Sequence, residues 1–194
     1  MAYNFAIRGM SFHDIPEVLR LEREAFGKMA WSSKDFESAI SSSYDYPFVV
    51  HENTPDLQTS EGSSAVKSVY ESTPDSDSHT ALQPDIENTP DTCEETDFHV
   101  AGYGVLRILP PEAEVEDICV SSSMRMRGIG EKILQHMISA AREKGAENIY
   151  LEVRSKNEAA IGLYRKLGFQ DSYVRKGYYR DPADDAVIMV LNMM

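Results

Sequence analysis

Arg125-Met126-Arg127-Gly128-Ile129-Gly130 decides how this chain is read. It follows an apolar-rich run, Val115 to Val120, and opens a long amphipathic pattern that ends at Gly145. Ile133, Leu134, Met137, Ile138 and Ala141 recur on one face with a 3.6-residue period, which predicts a helix. A second strand pattern, Asn148 to Val153, leads to Asn157 and to a shorter helix carrying Ala160, Ile161, Tyr164 and Leu167 on its inner face. Strand, glycine turn, helix, strand, helix is the order of a fold that grips an anion at a helix start.

The glycine turn has a physical logic. A helix beginning near Gly128 leaves its first N–H groups without internal partners, and its dipole adds partial positive charge. Glycine lets an anion approach the main chain, and Arg125 and Arg127 add full charges, so a pyrophosphate suits the place. An ordinary turn before a helix has the same appearance. The motif lacks the Gly-Lys-Ser/Thr of a P-loop and the third glycine of a dinucleotide fingerprint. Glu152 alternates with Leu151 and Val153 on a strand expected to be central, where a carboxylate needs a partner or a task. Ion pairing with Arg154, a solvated face and general-base chemistry all remain open for it. Tyr164 is either a core tyrosine or a proton donor, and Asn157 is first an N-cap and second a ligand contact.

Outward from this centre, Asn4 to Arg8 is expected as a strand and Ser11 to Phe26 as a helix, with Pro16 in its first turn. Ser32 with Asp35 predicts a capping box for a helix through Ile40, and Tyr46 to His51 predicts a strand. Phe98 to Arg107 and Glu114 to Val120 flank a Pro110-Pro111 turn. Phe169 to Lys176 and Ala186 to Asn192 are expected as closing strands around a loop from Gly177 to Pro182. About seven strands and four helices make a mixed α/β (α+β) domain, its sheet covered on both faces.

Residues 53–97 break the pattern. They are rich in Ser, Thr, Pro, Asp and Glu, and a segment so poor in large apolar residues is expected to stay disordered, as an insertion between two strands of a single domain spanning 1–194. Its three Thr-Pro-Asp steps, at Thr54, Thr73 and Thr89, are unequally spaced, which excludes a solenoid. Eleven acids and one lysine lie there, so all but three of the thirteen net negative charges belong to this segment. Neither part has the basic face of a nucleic-acid binder. No run of eighteen apolar residues implies a membrane span, and Met1-Ala2-Tyr3-Asn4-Phe5 lacks the blocks of a secretory leader. The two cysteines, Cys93 and Cys119, make no disulfide framework, and the histidines show no metal-ligand spacing, so a cytoplasmic protein without a metal is expected.

The ordered set Val120, Arg125-x-x-Gly128-x-Gly130, Leu151-Glu152-Val153-Arg154, Asn157, Leu163-Tyr164, Leu167-Gly168-Phe169, Tyr178-Tyr179 and Asp185-Ala186 resembles the GNAT N-acetyltransferases, most closely their bacterial RimI type. The likeness is strong over 98–194, weaker over 1–52 through Glu22-x-x-Ala25-Phe26 and Trp31-Ser32, and absent from the insertion. It implies a mostly antiparallel sheet of about seven strands whose central parallel pair splays apart. The implied co-substrate is acetyl-coenzyme A. Main chain of Ile118, Cys119 and Val120 would hold the pantetheine and acetyl carbonyl, and Met126, Arg127, Gly128, Ile129, Gly130 and Glu131 the pyrophosphate. Asn157 would touch the cofactor near its reactive end. Glu152 matches the family's general base and Tyr164 its general acid, while Tyr178 or Tyr179 would face an incoming peptide. The implied substrate is the N-terminus, an alanine, of a ribosomal protein. A broader N-terminal or lysine acetyltransferase, and a coenzyme-binding or interaction module without turnover, are the alternatives. Two departures stand out: Ser121-Ser122-Ser123 replaces a polar-proline step, and Glu131 stands where a basic residue is common.

Overall fold

Local sequence rules start most of the elements. In the computed structural model, which describes residues 5–52 and 99–193, the first strand is β1 (Phe5–Gly9) and the first helix α1 (Ile15–Phe26). The helix begins four residues later than the sequence predicts. A single 3-10 turn, Phe12–Asp14, precedes it, closed by Ser11 and Asp14, and Pro16 then sits in the first turn of the α-helix where its missing N–H is harmless. The predicted capping box at Ser32 forms: Asp35 accepts the Ser32 main-chain N–H at 2.7 Å and α2 (Ser33–Ser41) follows.

The remaining elements are β2 (Asp45–Glu52), β3 (Val100–Leu109), β4 (Glu112–Val120), α3 (Ile129–Glu143), β5 (Asn148–Arg154), α4 (Glu158–Lys166), β6 (Gln170–Arg180) and β7 (Ala183–Asn192). Together the strands form one seven-stranded sheet in the order β1-β2-β3-β4-β5-β7-β6. Only β4 and β5 run parallel; the other neighbours are antiparallel. Since β2 and β3 are adjacent, residues 53–97 join neighbouring strands; the expectation of disorder for them lies outside the described residues.

The last hairpin corrects the sequence reading. β6 continues to Arg180 and β7 begins at Ala183, so Tyr178 and Tyr179 lie on a strand and not in a loop. Aromatic residues favour the pleated edge, and the ladder absorbs Gly177 as an irregularity between Arg175 and Tyr179.

Helices cover both faces. On one, Ile133, Leu134 and Met137 of α3 and Ile161 and Tyr164 of α4 share a buried cluster with Leu106, Val115, Leu151, Val153 and Met189 of the sheet. On the other, Val18 and Leu21 of α1 and Phe36 and Ala39 of α2 cluster with Val49, Tyr103, Val105 and Cys119. Among the described residues no helix is long and apolar enough to cross a membrane.

Phe36 ties the second cluster together. It is fully buried, 5.2 Å from the Trp31 ring and 5.6 Å, edge-on, from that of Tyr103. Phe36→Ala is expected to lower stability by about 3–5 kcal/mol in urea denaturation, because the layers on either side cannot collapse into the space left.

Candidate active site

The parallel pair β4 and β5 is joined only from Glu112↔Asn148 to Val115↔Leu151. Beyond that point β4 follows β3 up to Val120↔Gly102, while β5 follows β7 up to Arg154↔Ala186. The two strands part at a bulge. Val115 faces Leu106 and Asp117 faces Val105, so Glu116 is the extra residue. An extra residue bends its strand and increases the local twist, which carries the rest of β4 away from β5. Arg107 holds the bulge, 2.7 Å from Glu116 on one side and 2.8 Å from Asp45 of β2 on the other. Main chain from Glu116 to Val120 thereby faces a notch, and Ile118, Cys119 and Val120 form its wall.

The start of α3 lies at the end of that wall. Gly128 has φ +80, a left-handed conformation that a side chain would strain, and no side chain caps the helix there. The first intrahelical bond is donated by the Lys132 N–H to the Gly128 carbonyl at 3.1 Å, so the N–H groups of Ile129, Gly130 and Glu131 lead out of the helix end. Gly130 also has a packing task. A Cβ on it would meet Leu163 at 3.2 Å and Val120 at 3.8 Å, so its bareness seats α3 against α4 and the end of β4. Met126 is fully exposed, and Arg125 donates through Nε to the Val120 carbonyl at 3.3 Å. The carboxylate of Glu131 is 2.7 Å from Lys166 of α4, which balances the charge that sets this turn apart from its family pattern. An uncapped, donor-rich helix start with open space at Gly128 fits a phosphate group.

Glu152 and Tyr164 approach the notch from opposite sides. Leu151 and Val153 point into the α3–α4 cluster, and strand alternation turns Glu152 to the other face. There it forms an ion pair with Arg175 of β6 at 2.9 Å, and not with Arg154 as its sequence neighbourhood suggests. Arg154 instead donates to the carbonyls of Pro182 and Asp181 at 2.9 and 3.2 Å and stacks 4.1 Å from the Tyr179 ring. Glu152, Glu114, Tyr150, Tyr173 and Arg175 line a cavity of about 330 Å³ on this face.

Tyr164 belongs to the α4 side and is buried. Burial first, then the neighbouring Tyr179 and Asp117, push its phenol up to about 12, so it carries its proton throughout the neutral range. Tyr179, raised by burial and next by Glu152, interacts electrostatically with both side chains. Tyr178 is raised chiefly by its hydrogen bond to Glu152, and its ring meets that of Tyr179 edge-on at 5.1 Å. Asn157 caps α4, its Oδ1 accepting the Ala160 N–H at 3.2 Å. Cys119, in the notch wall, turns its thiol into the opposite cluster; burial and then Asp117 and Glu22 push it up to about 12.

Sequence reasoning missed Arg175, Arg107 with Glu116, and a buried polar group formed by Glu22, Tyr103 and Asp117. Arg175 reaches Glu152 across an intervening strand: Ala186 of β7 pairs with Arg154 on one side and Arg175 on the other. The small residue at 186 is the only trace of that proximity in the sequence.

A profile of the Acetyltransferase (GNAT) family matches residues 48–169. The chain belongs to this family. Among characterised relatives, the ribosomal protein bS18-alanine N-acetyltransferase of Escherichia coli K12 is 35% identical over 94 residues, 47% of this chain and 64% of that protein. The N-alpha-acetyltransferase RimI of Mycobacterium tuberculosis is 42% identical over 90 residues, 46% of this chain and 55% of that protein. The matched stretch thus spans less than two thirds of either relative. The crystal structure of the Escherichia coli ribosomal-protein-S18-alanine N-acetyltransferase superposes with TM-score 0.67 at 23% identity, over 98% of this chain and 94% of that one. Arabidopsis thaliana NAA60 in complex with acetyl-CoA superposes with TM-score 0.69 at 14% identity, over 98% and 99%. Both share the fold described above.

The buried thiol gives a direct check of the wall. Cys119 is expected to resist iodoacetamide at pH 8 in the native protein and to react on unfolding, as read by mass mapping of its peptide.

Proposed function

We propose that this protein transfers an acetyl group from acetyl-coenzyme A to the N-terminal α-amine of a protein, an alanine of a ribosomal protein, in a reducing cytoplasm. The observation that carries the reading is the notch opened by the β4 bulge, with an uncapped helix start at its end and Glu152 and Tyr164 on its two sides. The names of the two relatives support the substrate class.

Bound there, acetyl-coenzyme A supplies a thioester whose acyl carbon accepts a nucleophile. The chain's own groups do the rest. The N–H groups of Ile129, Gly130 and Glu131, with Met126, Arg127 and Gly128 forming the turn, hold the pyrophosphate. Main chain of Ile118, Cys119 and Val120 lines the thioester arm and steadies charge developing on the carbonyl oxygen. Asn157, its carbonyl oxygen committed to the cap, keeps its amide group for the cofactor near the reactive end. Tyr178 and Tyr179 flank the acceptor's approach.

An ammonium is not a nucleophile, so its proton leaves to Glu152, directly or through a water. The amine nitrogen then bonds to the acyl carbon. As the carbon–sulfur bond breaks, the sulfur takes a proton from Tyr164, and the second proton leaving the nitrogen returns through water to the phenolate, so the amide, the thiol and the original phenol remain. A phenol held protonated by burial suits that donor role. Arg175 and the Tyr178 hydroxyl fix the orientation of Glu152 toward the incoming amine. Deprotonating an α-amine (~7.8) costs about 3.5 kcal/mol less than deprotonating a lysine (~10.4), so a carboxylate base serves the chain terminus more readily.

The test is incubation with acetyl-coenzyme A and peptides of varied first residue, some blocked at the terminus with a free internal lysine, scored by mass. Acetylation of terminal alanine is expected; modification of the blocked lysine peptides alone, or of none, overturns the reading. Tyr164→Phe is expected to lower kcat about 10²–10⁴-fold with coenzyme binding by calorimetry unchanged. A fully active variant removes Tyr164 from the mechanism.

A further inference from the structure

A second set of ionisable groups is buried between α1, β3 and β4, and the scheme above does not use it. Tyr103 is inaccessible, Glu22 is 1% exposed and Asp117 9%. The Tyr103 hydroxyl is within hydrogen-bond distance of Glu22 Oε2 and, at 3.1 Å, of Asp117 Oδ2. The other oxygen of Glu22 accepts the Trp31 main-chain N–H at 2.7 Å. Asp117 is the residue beside the bulge, at the mouth of the notch.

Counting protons fixes the arrangement. A phenol has one proton to donate, so it satisfies one carboxylate as a donor. The second carboxyl group then has to bring its own proton and donate it to the phenol oxygen or directly to the other carboxylate, since the Asp117 and Glu22 side chains also hydrogen-bond to each other. Among the described residues neither carboxylate has an ion-pair partner, and two adjacent buried charges of one sign repel strongly. Glu22 already accepts the Trp31 N–H, which favours placing the shared proton on Asp117. Burial and the Glu22 charge push Asp117 up to about 8, against the opposing hydrogen bonds from Tyr103 and the Ile118 main chain.

We propose that Asp117 is a positioning residue for the acetyl transfer: held protonated, it donates through Tyr103 to Glu22, ties the segment carrying Trp31 to the sheet and keeps the β4 wall of the notch uncharged. This inference rests on the function proposed above. Asp117 meets Glu22 from α1 and Tyr103 from β3, and its charge acts on Cys119 of its own strand and, through the sheet, on Tyr164 of α4; Arg125 and Glu24 act on the Cys119 thiol. When Asp117 ionises, a negative charge appears behind the β4 wall and raises the Tyr164 phenol further, so Tyr164 becomes a weaker donor. The Asp117–Tyr103–Glu22 chain also loses a proton and its two ends repel.

Asp117→Asn tests this, because an amide donates to Tyr103 as the protonated carboxyl does. The variant's kcat at pH 7 is expected within about threefold of the wild type, and above pH 8 the wild-type kcat falls about tenfold per pH unit while the variant stays level. Superimposable pH profiles overturn the proposal. Thermal melting without acceptor gives the second readout. Asp117 keeps its proton in the folded chain and loses it in the unfolded chain above about pH 4, so wild-type stability declines as pH rises from about 4 to about 8, where the folded state also begins to lose the proton. The melting advantage of Asp117→Asn over the wild type therefore widens between pH 5 and pH 8; a gap equal at both values overturns the proposal. If neither protein acetylates any peptide, the proposed function fails, and the melting gap alone decides whether the proton resides on Asp117.

Discussion

One extra residue in one strand shapes this molecule. Paired along their whole length, β4 and β5 would form a continuous sheet with every main-chain group engaged. Glu116 interrupts the register against β3, and from there the strands follow different neighbours. The exposed main chain is tolerable because the helix layers keep the rest of the sheet covered and because Arg107 anchors the bulge to Asp45 and Glu116 together. A guanidinium joined to two carboxylates resists relaxation of the bulge into a regular ladder, since straightening β4 would separate a charge pair on each side.

The notch also determines how side chains reach it. A sheet normally isolates its two faces, and Glu152 and Tyr164 do come from different faces. Tyr179 is electrostatically linked to both. That division suits opposed roles. Tyr164 is buried among hydrocarbon, which keeps a phenol protonated; Glu152 stands at a partly open face beside an arginine, which suits an anion.

Legibility in the sequence followed distance along the chain. The α3 and α4 patterns, the Ser32 capping box, the Asn157 cap and the glycine turn are local, and local rules read them. The mostly antiparallel sheet and its splayed parallel pair came with the family resemblance; the order of the strands is visible only in the structure. Partners set by tertiary register stayed hidden: Glu152 looked adjacent to Arg154 but pairs with Arg175, and Tyr103 meets Glu22 across 81 residues. The loop expected at Gly177 to Pro182 is mostly strand, because the ladder takes up a glycine at a bulge where a linear reading sees a turn. Gly130, read from the sequence as part of an anion-binding turn, also leaves room for Leu163, a contact no local rule shows.

The outermost strand carries a last consequence. Among the described residues β6 has a neighbour on one side only, and its ladder is interrupted twice, between Asp171 and Tyr173 and between Arg175 and Tyr179. Arg175, Lys176 and Arg180 stand along it. A border this crooked offers another molecule no straight row of donors and acceptors to copy, so intermolecular sheet growth from this side, the first step of fibre formation, meets a geometric obstacle.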